Sequence, residues 1–514
     1  MSLDAAALQV LIARLVGVAD EMGAALRRGA SSPNIKERAD CSAALFTASG
    51  ELLVQAEHIP VHLGSMPAAV QAAVLAAGAD PTPDEQWVLN DPFAGGTHLN
   101  DITVVAPVHL AGALVGWVAN RAHHADLGGM APGSMPPDAT EIYQEGLRVP
   151  PVRLTDDVTE IVVASSRAPE ERRGDLAAQQ GATALGVARL AELVAKLGST
   201  AALDEILDYG ERRMRAALAE LPDGSWRFED VVDSAGPRPD QQRSRRIVLH
   251  LTLERDTATF DFTGTDAQQR GNVNAVEAVT VSAVAFALRA ATDATVPANG
   301  GATRTVRVVA PPGTLVAAVP PVAVGAGNVE VSQRVADVCL GALAQAVPDR
   351  LGAASQGTMN NVLLGGAGWV YYETIGGGQG ARPWADGMSG VHTAMTNTAD
   401  TPVEALERSL PLRVRRYALR AGSGGAGAHQ GGDGIDRDLE VLEDTVVSLI
   451  TERRASAPWG LAGGGPGAVG ENWLLPDGDE SRATPLADKV TVTLHRGDVL
   501  RLRTPGGGGY ATPR

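Results

Sequence analysis

Two apolar runs joined by Ala111-Gly112 constrain the fold of this chain more than any other feature. The runs cover residues 102–110 and 113–118. A two-residue connection ending in glycine, between two runs of strand length, predicts a β-hairpin, because glycine supplies the positive φ that such a tight turn needs. We therefore expect the segments that flank this hairpin to meet at its open end.

Polar residues are concentrated at that open end. Residues 90–101 precede the hairpin and residues 120–126 follow it, and together these segments hold three of the ten histidines of the chain. A regular two-residue loop places Asn100 opposite His123, with Asp101 one position further along the strand. The sequence thus predicts that two segments distant along the chain form one polar cleft.

The cleft contains residue types that hold a divalent metal ion. His98 precedes Asp101 by three residues, and imidazole and carboxylate groups are common ligands of such ions. Because side chains alternate along a strand, His123 and His124 should point to opposite faces, so we expect one of the two to bind metal. Asp40, at the mouth of a neighbouring predicted strand, is a candidate fourth ligand. The alternative interpretation is that these residues cap turns and satisfy buried backbone groups at a sheet edge.

Size and charge set outer limits on function. A chain of 514 residues is long enough for about three domains. Its net charge of −17 repels phosphate-rich surfaces and argues against binding to nucleic acid or to an anionic membrane. No apolar run reaches the length of a membrane helix, and the first residues lack the pattern of a secretion signal, so we expect a cytoplasmic protein.

Several common catalytic arrangements are missing from the sequence. It contains no GxSxG or HExxH motif, and none of its lysines stands in a P-loop, which argues against a serine triad, a zincin mechanism and an ATP site of that type. Cys41 and Cys339 belong to no CxxC pair and are interpreted as core residues. His58 and His62, on either side of Ile59-Pro60, are interpreted as structural.

Three glycine clusters lie in the second half of the chain, over residues 376–380, 422–427 and 506–509. Their backbone N–H groups could hold a phosphate, but such clusters more often form tight turns, which is the interpretation we favour. None follows a strand and opens a helix as in dinucleotide-binding proteins, so a nicotinamide or flavin cofactor is not expected. Polar groups at residues 328–334 and 357–361 either orient a small amide or carboxylate substrate or cap helices and turns.

The order of the predicted elements indicates a mixed α/β (α+β) fold, rich in β-hairpins. The sequence predicts helices that begin after Ser2 and Ser65, a helical region from 174 to about 221 that breaks near Gly198, a helix over 328–346, and strands over 40–46, 51–55, 247–253 and 258–262. We expect three parts: an N-terminal metal-site domain (1–222), a central α/β domain (223–350) and a C-terminal β-rich domain (351–514).

Ten segments, distributed over nearly the whole chain, together resemble the sequence pattern of one known family. They are residues 90–101, 123–126, 145–151, 174–176, 261–265, 325–330, 357–361, 392 with 396–398, 401–404 and 504–510. In identity and order they resemble the hydantoinase B family. This family includes N-methylhydantoinase B subunits, the corresponding half of 5-oxoprolinases and caprolactamases, and the α-subunits of acetone-type carboxylases.

The resemblance implies a divalent ion held by an aspartate of the first hairpin, an HxxD pair and one further histidine. These match Asp40, His98, Asp101 and His123. Cys41 is a departure, since the family more often has an aromatic residue there, and it is expected to alter the packing of the neighbouring carboxylate. A mixed histidine and carboxylate site suits Zn, Mn or Fe.

The resemblance also implies a hydantoinase A-type partner subunit that binds ATP, in agreement with the missing P-loop. The partner would phosphorylate the amide oxygen of a lactam or hydantoin, and hydroxide generated at the metal would attack the activated carbon. His124 or Asp126 would orient the water or support a ligand. We therefore expect the metal-dependent hydrolytic subunit of an ATP-dependent cyclic amidase, in a hetero-oligomer.

Two alternatives stay open at this point. One is the α-subunit of an ATP-dependent acetone- or acetophenone-type carboxylase, which the length of the chain disfavours, because such subunits are typically much longer. The other is a non-catalytic scaffold for the ATP-binding subunit. Nothing in the sequence distinguishes hydantoin, 5-oxoproline, caprolactam or a ketone as the substrate.

Overall fold

The structure, a computed structural model, describes residues 4–56, 59–62 and 64–513. Helices and strands are interspersed along these ranges, which confirms the predicted mixed fold. The α-helices are α1 (Ala5–Gly29), α2 (Pro33–Lys36), α3 (Met66–Ala77), α4 (Asp156–Ser165), α5 (Pro169–Leu197), α6 (Ala201–Ala219), α7 (Glu277–Ala291), α8 (Gly300–Thr303), α9 (Ser332–Ala346) and α10 (Val403–Ser409). Among the helices of the described ranges, none combines the length and the apolarity needed to cross a membrane.

The predicted helix starts can be compared with the observed caps. Ser2 lies outside the described residues, and the side chain of Asp4 caps α1 by accepting a hydrogen bond from the backbone N–H of Ala7. Ser65 stands at the N-cap of α3, as predicted, and Gly78 ends that helix with a φ of 75°. The helical region after residue 174 is also confirmed, with its break between α5 and α6.

The strands of the N-terminal region form one antiparallel sheet. They are β1 (Cys41–Thr47), β2 (Leu52–Gln55), β3 (Trp87–Leu89), β4 (Asp101–Leu110), β5 (Ala113–His123) and β6 (Val152–Arg153). The strand order is β2-β1-β5-β4-β3-β6, so the long β4–β5 hairpin lies at the centre of the sheet. Both predicted hairpins, β1–β2 and β4–β5, are confirmed.

The register of the central hairpin differs by one residue from the predicted register. A β-bulge next to Val108 leaves Val115 on β5 without a partner on β4. Beyond the bulge the pairing is shifted, and Asp101, not Asn100, lies opposite His123. An extra residue within an apolar run leaves no clear mark in the sequence, yet here it places a carboxylate directly across from an imidazole.

Both faces of this sheet are covered, which explains why its central strands are apolar on both sides. On one face, α1, α5 and α6 pack against a cluster that includes Leu45 and Val118. On the other face, α3 packs against a cluster that includes Phe46 and Trp117. Successive side chains of one strand therefore enter different cores, and the polar ends of β4 and β5 are held between two packed layers.

The central region contributes a second sheet and the helices that cover it. Its strands are β7 (Gly224–Val232), β8 (Arg245–Glu254), β9 (Thr257–Asp261) and β10 (Val306–Val309), in the order β10-β9-β8-β7. Helix α9 packs against β7, β8 and α7. A π-helical turn, Gly327–Val331, directly precedes α9 and carries Asn328 toward the first sheet.

The C-terminal region is rich in strands, as predicted. They are β11 (Asn361–Gly366), β12 (Trp369–Glu373), β13 (Leu412–Arg420), β14 (Gly434–Val441), β15 (Thr445–Ile450), β16 (Glu471–Leu475), β17 (Thr484–Pro485), β18 (Lys489–Leu494) and β19 (Val499–Arg503). They form two sheets with the orders β12-β11-β15-β18 and β13-β14-β19-β16-β17.

The glycine clusters of this region contact one another through their backbones. The N–H of Gly425 donates to the carbonyl oxygen of Gly507, and the N–H of Gly507 donates to that of Gly432. A Cβ atom on Gly507 would lie 2.1 Å from the carbonyl oxygen of Gln379. These glycines are therefore needed for close backbone packing.

One large hydrophobic core joins all three regions. Leu99, Phe260 and Met359 belong to the same buried cluster, although they come from the predicted N-terminal, central and C-terminal domains. Each sheet falls within one predicted domain, whereas this core crosses both boundaries. The division at residues 222 and 350 stays a prediction. Cys41 and Cys339 are buried and unpaired, as expected for core residues.

Candidate metal centre

Three buried side chains, those of His98, Asp101 and His123, meet at the open end of the central hairpin. Asp101 is the first residue of β4, and His123 is the last residue of β5. His98 lies in the loop three residues before β4. One potential ligand atom from each residue lies within 4.8 Å of the others. The structure thus brings together three of the four predicted metal ligands.

The carboxylate of Asp101 is the centre of this group. Its Oδ1 lies 3.1 Å from Nε2 of His98 and 3.4 Å from Nδ1 of His123. Both ring nitrogens of His98 and Nε2 of His123 are buried without a hydrogen bond to any described residue. A buried polar atom without a partner costs free energy, so this donor set fits a divalent cation shared by all three side chains.

Burial sets the protonation state of the centre. It lowers the pKa of His123 to about 4, because the charged ring would lose its water. Burial alone would raise the pKa of Asp101, but the surrounding His98, His123 and His62 rings hold that pKa well below its usual value. At neutral pH, His123 is therefore neutral and Asp101 ionised, which are the forms that bind metal.

Further polar side chains fix the orientation of Asp101. The hydroxyl of Thr97 donates to Oδ2 at 2.6 Å, and Nδ2 of Asn328 donates to the same oxygen at 3.3 Å. Nε2 of His62 lies 3.5 Å from Oδ2, while its Nδ1 forms a 2.8 Å hydrogen bond with Ser42. Contacts of this kind orient metal ligands in proteins.

His123 is held by residues from two other parts of the chain. The ring of Tyr372 stacks on the imidazole, with centroids 4.5 Å apart and planes inclined by 14°. The Tyr372 hydroxyl donates to Oδ1 of Asn361 at 2.8 Å. Nδ2 of Asn34, in α2, donates to the carbonyl oxygen of His123 at 2.7 Å. The candidate centre therefore depends on the packing of the C-terminal region against the first sheet.

Asp40 lies at the same cavity. It directly precedes β1, and its carbonyl oxygen accepts a hydrogen bond from the N–H of His123 at 3.0 Å. Asp40, Asp101 and His123 line the cavity. Its other polar lining residues are His62, Asn328, Thr374, Thr396 and Thr398. Burial raises the pKa of Asp40 against the effect of Arg38. Its carboxylate is not among the three grouped ligands, so its role as a fourth ligand stays a prediction.

His124 and Asp126 have contacts elsewhere, and neither lines the cavity. As the strand alternation predicts, His124 is turned to different surroundings from His123, and its Nε2 forms a 2.8 Å hydrogen bond with Oε1 of Gln179. Asp126 accepts from the N–H of Gly133 at 3.0 Å and pairs with Arg167 at 3.0 Å. Neither side chain is among the grouped ligands, and the catalytic roles of His124 and Asp126 stay predictions.

Sequence reasoning missed several residues of this site. His62 was expected to be structural, but its ring lies against Asp101; His58 lies outside the described residues. The polar segments at 328–334 and 357–361 act through Asn328 and Asn361 as supports of the centre. Thr97 directly precedes the predicted ligand His98, so its position in the sequence indicated a role at the site. Tyr372 lies in the apolar strand β12, where no neighbouring residue indicates a role at the site.

Comparisons with known proteins agree with this architecture. The sequence model described as Hydantoinase B/oxoprolinase matches residues 4–513. The 5-oxoprolinase 1 of Arabidopsis thaliana is 38% identical over 99% of this chain, which spans 42% of that protein. The crystal structure of the ATP-dependent caprolactamase from Pseudomonas jessenii is similar, with a TM-score of 0.92 and 28% sequence identity. The superposition covers 100% of this chain and 92% of the caprolactamase chain.

A nucleotide-free acetone carboxylase shares the fold. Its TM-score is 0.89 at 20% identity, over 98% of this chain and 75% of that one. The family match extends over nearly every residue, including all the side chains of the candidate centre. The chain therefore belongs to the hydantoinase B/oxoprolinase family.

Proposed function

We propose that this chain is the metal-dependent hydrolytic part of an ATP-dependent cyclic amidase. The proposal is carried by the buried group of His98, Asp101 and His123, whose ring nitrogens lack other partners. Its support from relatives is the similarity, over the full length of this chain, to a caprolactamase and to a 5-oxoprolinase.

The ATP-dependent step is assigned to another polypeptide segment. The sequence contains no P-loop, and the 5-oxoprolinase relative is more than twice as long as the part that this chain matches. We propose a hydantoinase A-type subunit in that role, either as a separate partner or as the remainder of a longer protein.

The chemistry follows from the poor reactivity of amides. Resonance protects the ring carbonyl, and phosphorylation of its oxygen by the ATP-binding part removes that protection. Addition of water and protonation of the ring nitrogen then break the C–N bond, and a second water releases phosphate from the carboxyl group. A divalent ion would lower the pKa of water toward ~7 and so supply hydroxide at neutral pH.

The residues of this chain hold and orient the reacting groups. His98, Asp101 and His123 would bind the ion, with Asp40 as the proposed fourth ligand, and Zn, Mn and Fe all suit this set. Thr97 and Asn328 occupy Oδ2 of Asp101, which leaves Oδ1 toward the two imidazoles. Tyr372 covers one face of His123 and shields it from water.

The test is turnover by the complex with its ATP-binding subunit, on hydantoin, 5-oxoproline, caprolactam and acetone. We expect ATP-dependent ring opening by the wild type and no turnover by His98→Ala or His123→Ala, although both variants assemble. A strict requirement for bicarbonate would identify a carboxylase instead. Unchanged turnover in both variants would exclude His98 and His123 as the catalytic metal site.

A further inference from the structure

Two fully buried arginines, Arg38 and Arg121, lie beside the candidate metal centre without a carboxylate partner. In the described ranges, no carboxylate oxygen comes within 4.0 Å of either guanidinium. The other fully buried arginines do pair: Arg172 with Asp175 at 3.0 Å, Arg334 with Asp230 at 3.3 Å, Arg437 with Glu373 at 2.8 Å and Arg453 with Asp337 at 2.6 Å. Arg38 interacts electrostatically with Asp40, and Arg121 with Asp101, but neither pair is in direct contact. Either guanidinium can therefore still attract a bound anion.

Arg38 is linked to the cavity through hydroxyl groups. Its Nη2 donates to Oγ1 of Thr374 and, at 3.2 Å, to Oγ1 of Thr398. These two hydroxyls lie 2.9 Å apart and share one hydrogen bond. Nε of Arg38 is buried without a partner. The guanidinium thus polarises two hydroxyl groups and retains a free N–H of its own.

A histidine approaches the same hydroxyls from the far side. Nε2 of His392 lies 3.3 Å from Oγ1 of Thr398 and 3.9 Å from Oδ1 of Asp400. Nδ1 of His392 lies 3.5 Å from Oγ1 of Thr396. The carboxylate of Asp400 favours a hydrogen on Nε2 of His392, so this nitrogen does not accept a hydrogen bond from Thr398. Thr374 and Thr398 together carry two hydroxyl hydrogens. One of them lies between the two oxygens, and the other is left for an acceptor in the cavity.

The two arginines differ in where their hydroxyl partners lie. Thr374, Thr396 and Thr398 line the cavity that also contains Asp101 and His123. Arg121 donates to Thr103 at 2.8 Å and to Ser65 at 2.6 Å, and neither of these residues lines that cavity. Only Arg38 therefore presents hydroxyl donors to a ligand bound beside the metal centre.

We propose that Thr374 and Thr398, backed by Arg38, form the subsite for the phosphoryl group of the activated substrate. This inference rests on the proposed function, in which a phosphorylated amide reaches the metal centre. Phosphoryl oxygens accept hydrogen bonds from hydroxyl groups, and the guanidinium behind them offsets the negative charge.

The two carboxylates at the cavity set a condition on this binding. Asp40 and Asp101 line the same space and repel an anion. The proposal therefore requires a divalent cation to be bound first, and phosphate should bind the metal-loaded protein and not the metal-free protein.

The test uses inorganic phosphate, the metal-loaded full-length protein and calorimetry, without ATP or partner. In the Thr374→Val/Thr398→Val double variant, we expect the Kd for phosphate to rise roughly tenfold or more, because hydrogen bonds to a charged ligand are lost. Metal content, measured by elemental analysis, should stay at the wild-type level. The Thr374→Ser/Thr398→Ser variant keeps both hydroxyls and should restore phosphate binding.

Thr103→Val is the matched control, since it removes a hydroxyl that contacts the other unpaired arginine outside the cavity. Its phosphate affinity should stay within about twofold of wild type, a change well below that of losing a charged hydrogen bond. An unchanged Kd in the valine double variant would assign phosphate to the metal alone and overturn the proposal. An equal loss in Thr103→Val, or no phosphate binding by the metal-loaded wild type, would also overturn it.

A second measurement separates this subsite from the proposed function. In the complex, phosphate should inhibit ATP-dependent turnover by competing with the phosphorylated amide, and the valine double variant should lose that inhibition. Turnover with an unaltered phosphate Kd would defeat the subsite and leave the amidase function intact. The valine double variant could also bind phosphate more weakly in a complex that opens no cyclic amide. That outcome would support an oxyanion site at these threonines and defeat its assignment to a phosphorylated amide.

Discussion

Two buried polar clusters of this molecule differ in how their charges are balanced. In the ion cluster around Arg453, Nη2 of Arg453 lies 2.6 Å from both Asp230 and Asp337, and Nζ of Lys489 lies 2.5 Å from Glu452. In the candidate metal centre, imidazoles surround one carboxylate, and several ring nitrogens have no partner. The charges of the ion cluster are paired within the protein, although Nε of Arg453 has no hydrogen-bond partner, whereas the donor set of the candidate metal centre fits an added cation.

This difference separates stability from function. Removing a partner from the ion cluster leaves a buried charge that the protein cannot neutralise, which destabilises the fold. Removing one of the two imidazoles from the metal centre takes away a polar group with few hydrogen-bond partners, so it should impair metal binding far more than folding. Substitutions in the two clusters should therefore affect different measurements.

The largest effect is expected from loss of a metal ligand. His98→Ala and His123→Ala should each weaken metal binding by more than ~100-fold, since even loss of an outer contact to a ligand costs about 10–100-fold. Metal content after dialysis and calorimetric titration measure this effect. His250→Ala, on an exposed position of β8, is the control and should retain the metal. Full metal retention by both ligand variants would remove the proposed centre.

The second effect concerns the ion cluster. Lys489→Met removes the 2.5 Å partner of Glu452 and leaves it only the 3.5 Å contact with Arg334, so we expect the free energy of unfolding to fall by about 3 kcal/mol. Urea denaturation measures this loss, while metal affinity should be unchanged. The double variant Lys489→Met/Glu452→Gln removes both charges and should recover part of the stability. A metal affinity that fell together with stability would contradict the separation of the two clusters.

Glu145 is a buried carboxylate of a third kind. It does not belong to the group of candidate metal ligands, and no cationic side chain in the described ranges lies within 4.0 Å of it. Glu145 accepts hydrogen bonds from the N–H groups of Val324 at 3.0 Å and Gly325 at 2.8 Å. Burial raises the pKa of Glu145 to about 8 from its usual value of 4.5. The folded protein therefore keeps a proton that the unfolded chain releases as the pH rises through 4.5.

This shift predicts a pH dependence with a defined sign. The contribution of Glu145 to stability is greatest below pH 4.5 and is lost as the pH rises toward 8, where the folded protein also releases the proton. Between pH 6 and 8 the loss should be about 2–3 kcal/mol, at ~1.4 kcal/mol per unit. Glu145→Gln has no proton to release at this position. The unfolding free energy of the variant, relative to that of the wild type, should therefore increase from pH 6 to pH 8. Parallel curves for the two proteins would contradict the prediction.

The sequence allowed the centre of the site to be predicted, because its key residues are local. His98 and Asp101 stand three residues apart, and the Ala111-Gly112 turn identified the hairpin that carries Asp101 toward His123. The exact pairing was wrong because Val115 is an extra residue in the hairpin, and an apolar run gives no sign of which residue bulges.

The surroundings of the site could not be predicted from local patterns. Tyr372 reaches His123 only because β12 packs against the first sheet, and Arg38 reaches Thr398 across a separation of 360 residues. Helix α7 was also missed, since it is buried on most of its surface and lacks the one-sided apolar stripe of an amphipathic helix. Contacts that depend on tertiary packing leave no periodic signal in the chain.

The smallest effect is expected for an outer contact of the metal centre. Thr97→Val removes the 2.6 Å hydrogen bond to Oδ2 of Asp101 but keeps the shape of the side chain. Metal affinity should fall about 10–100-fold, because the carboxylate loses a group that orients it. Ser42→Ala, whose hydroxyl contacts His62 instead, should have a smaller effect. If Ser42→Ala weakens metal binding as much as Thr97→Val does, His62 orients Asp101 as strongly as Thr97, and the centre must be extended to include that ring.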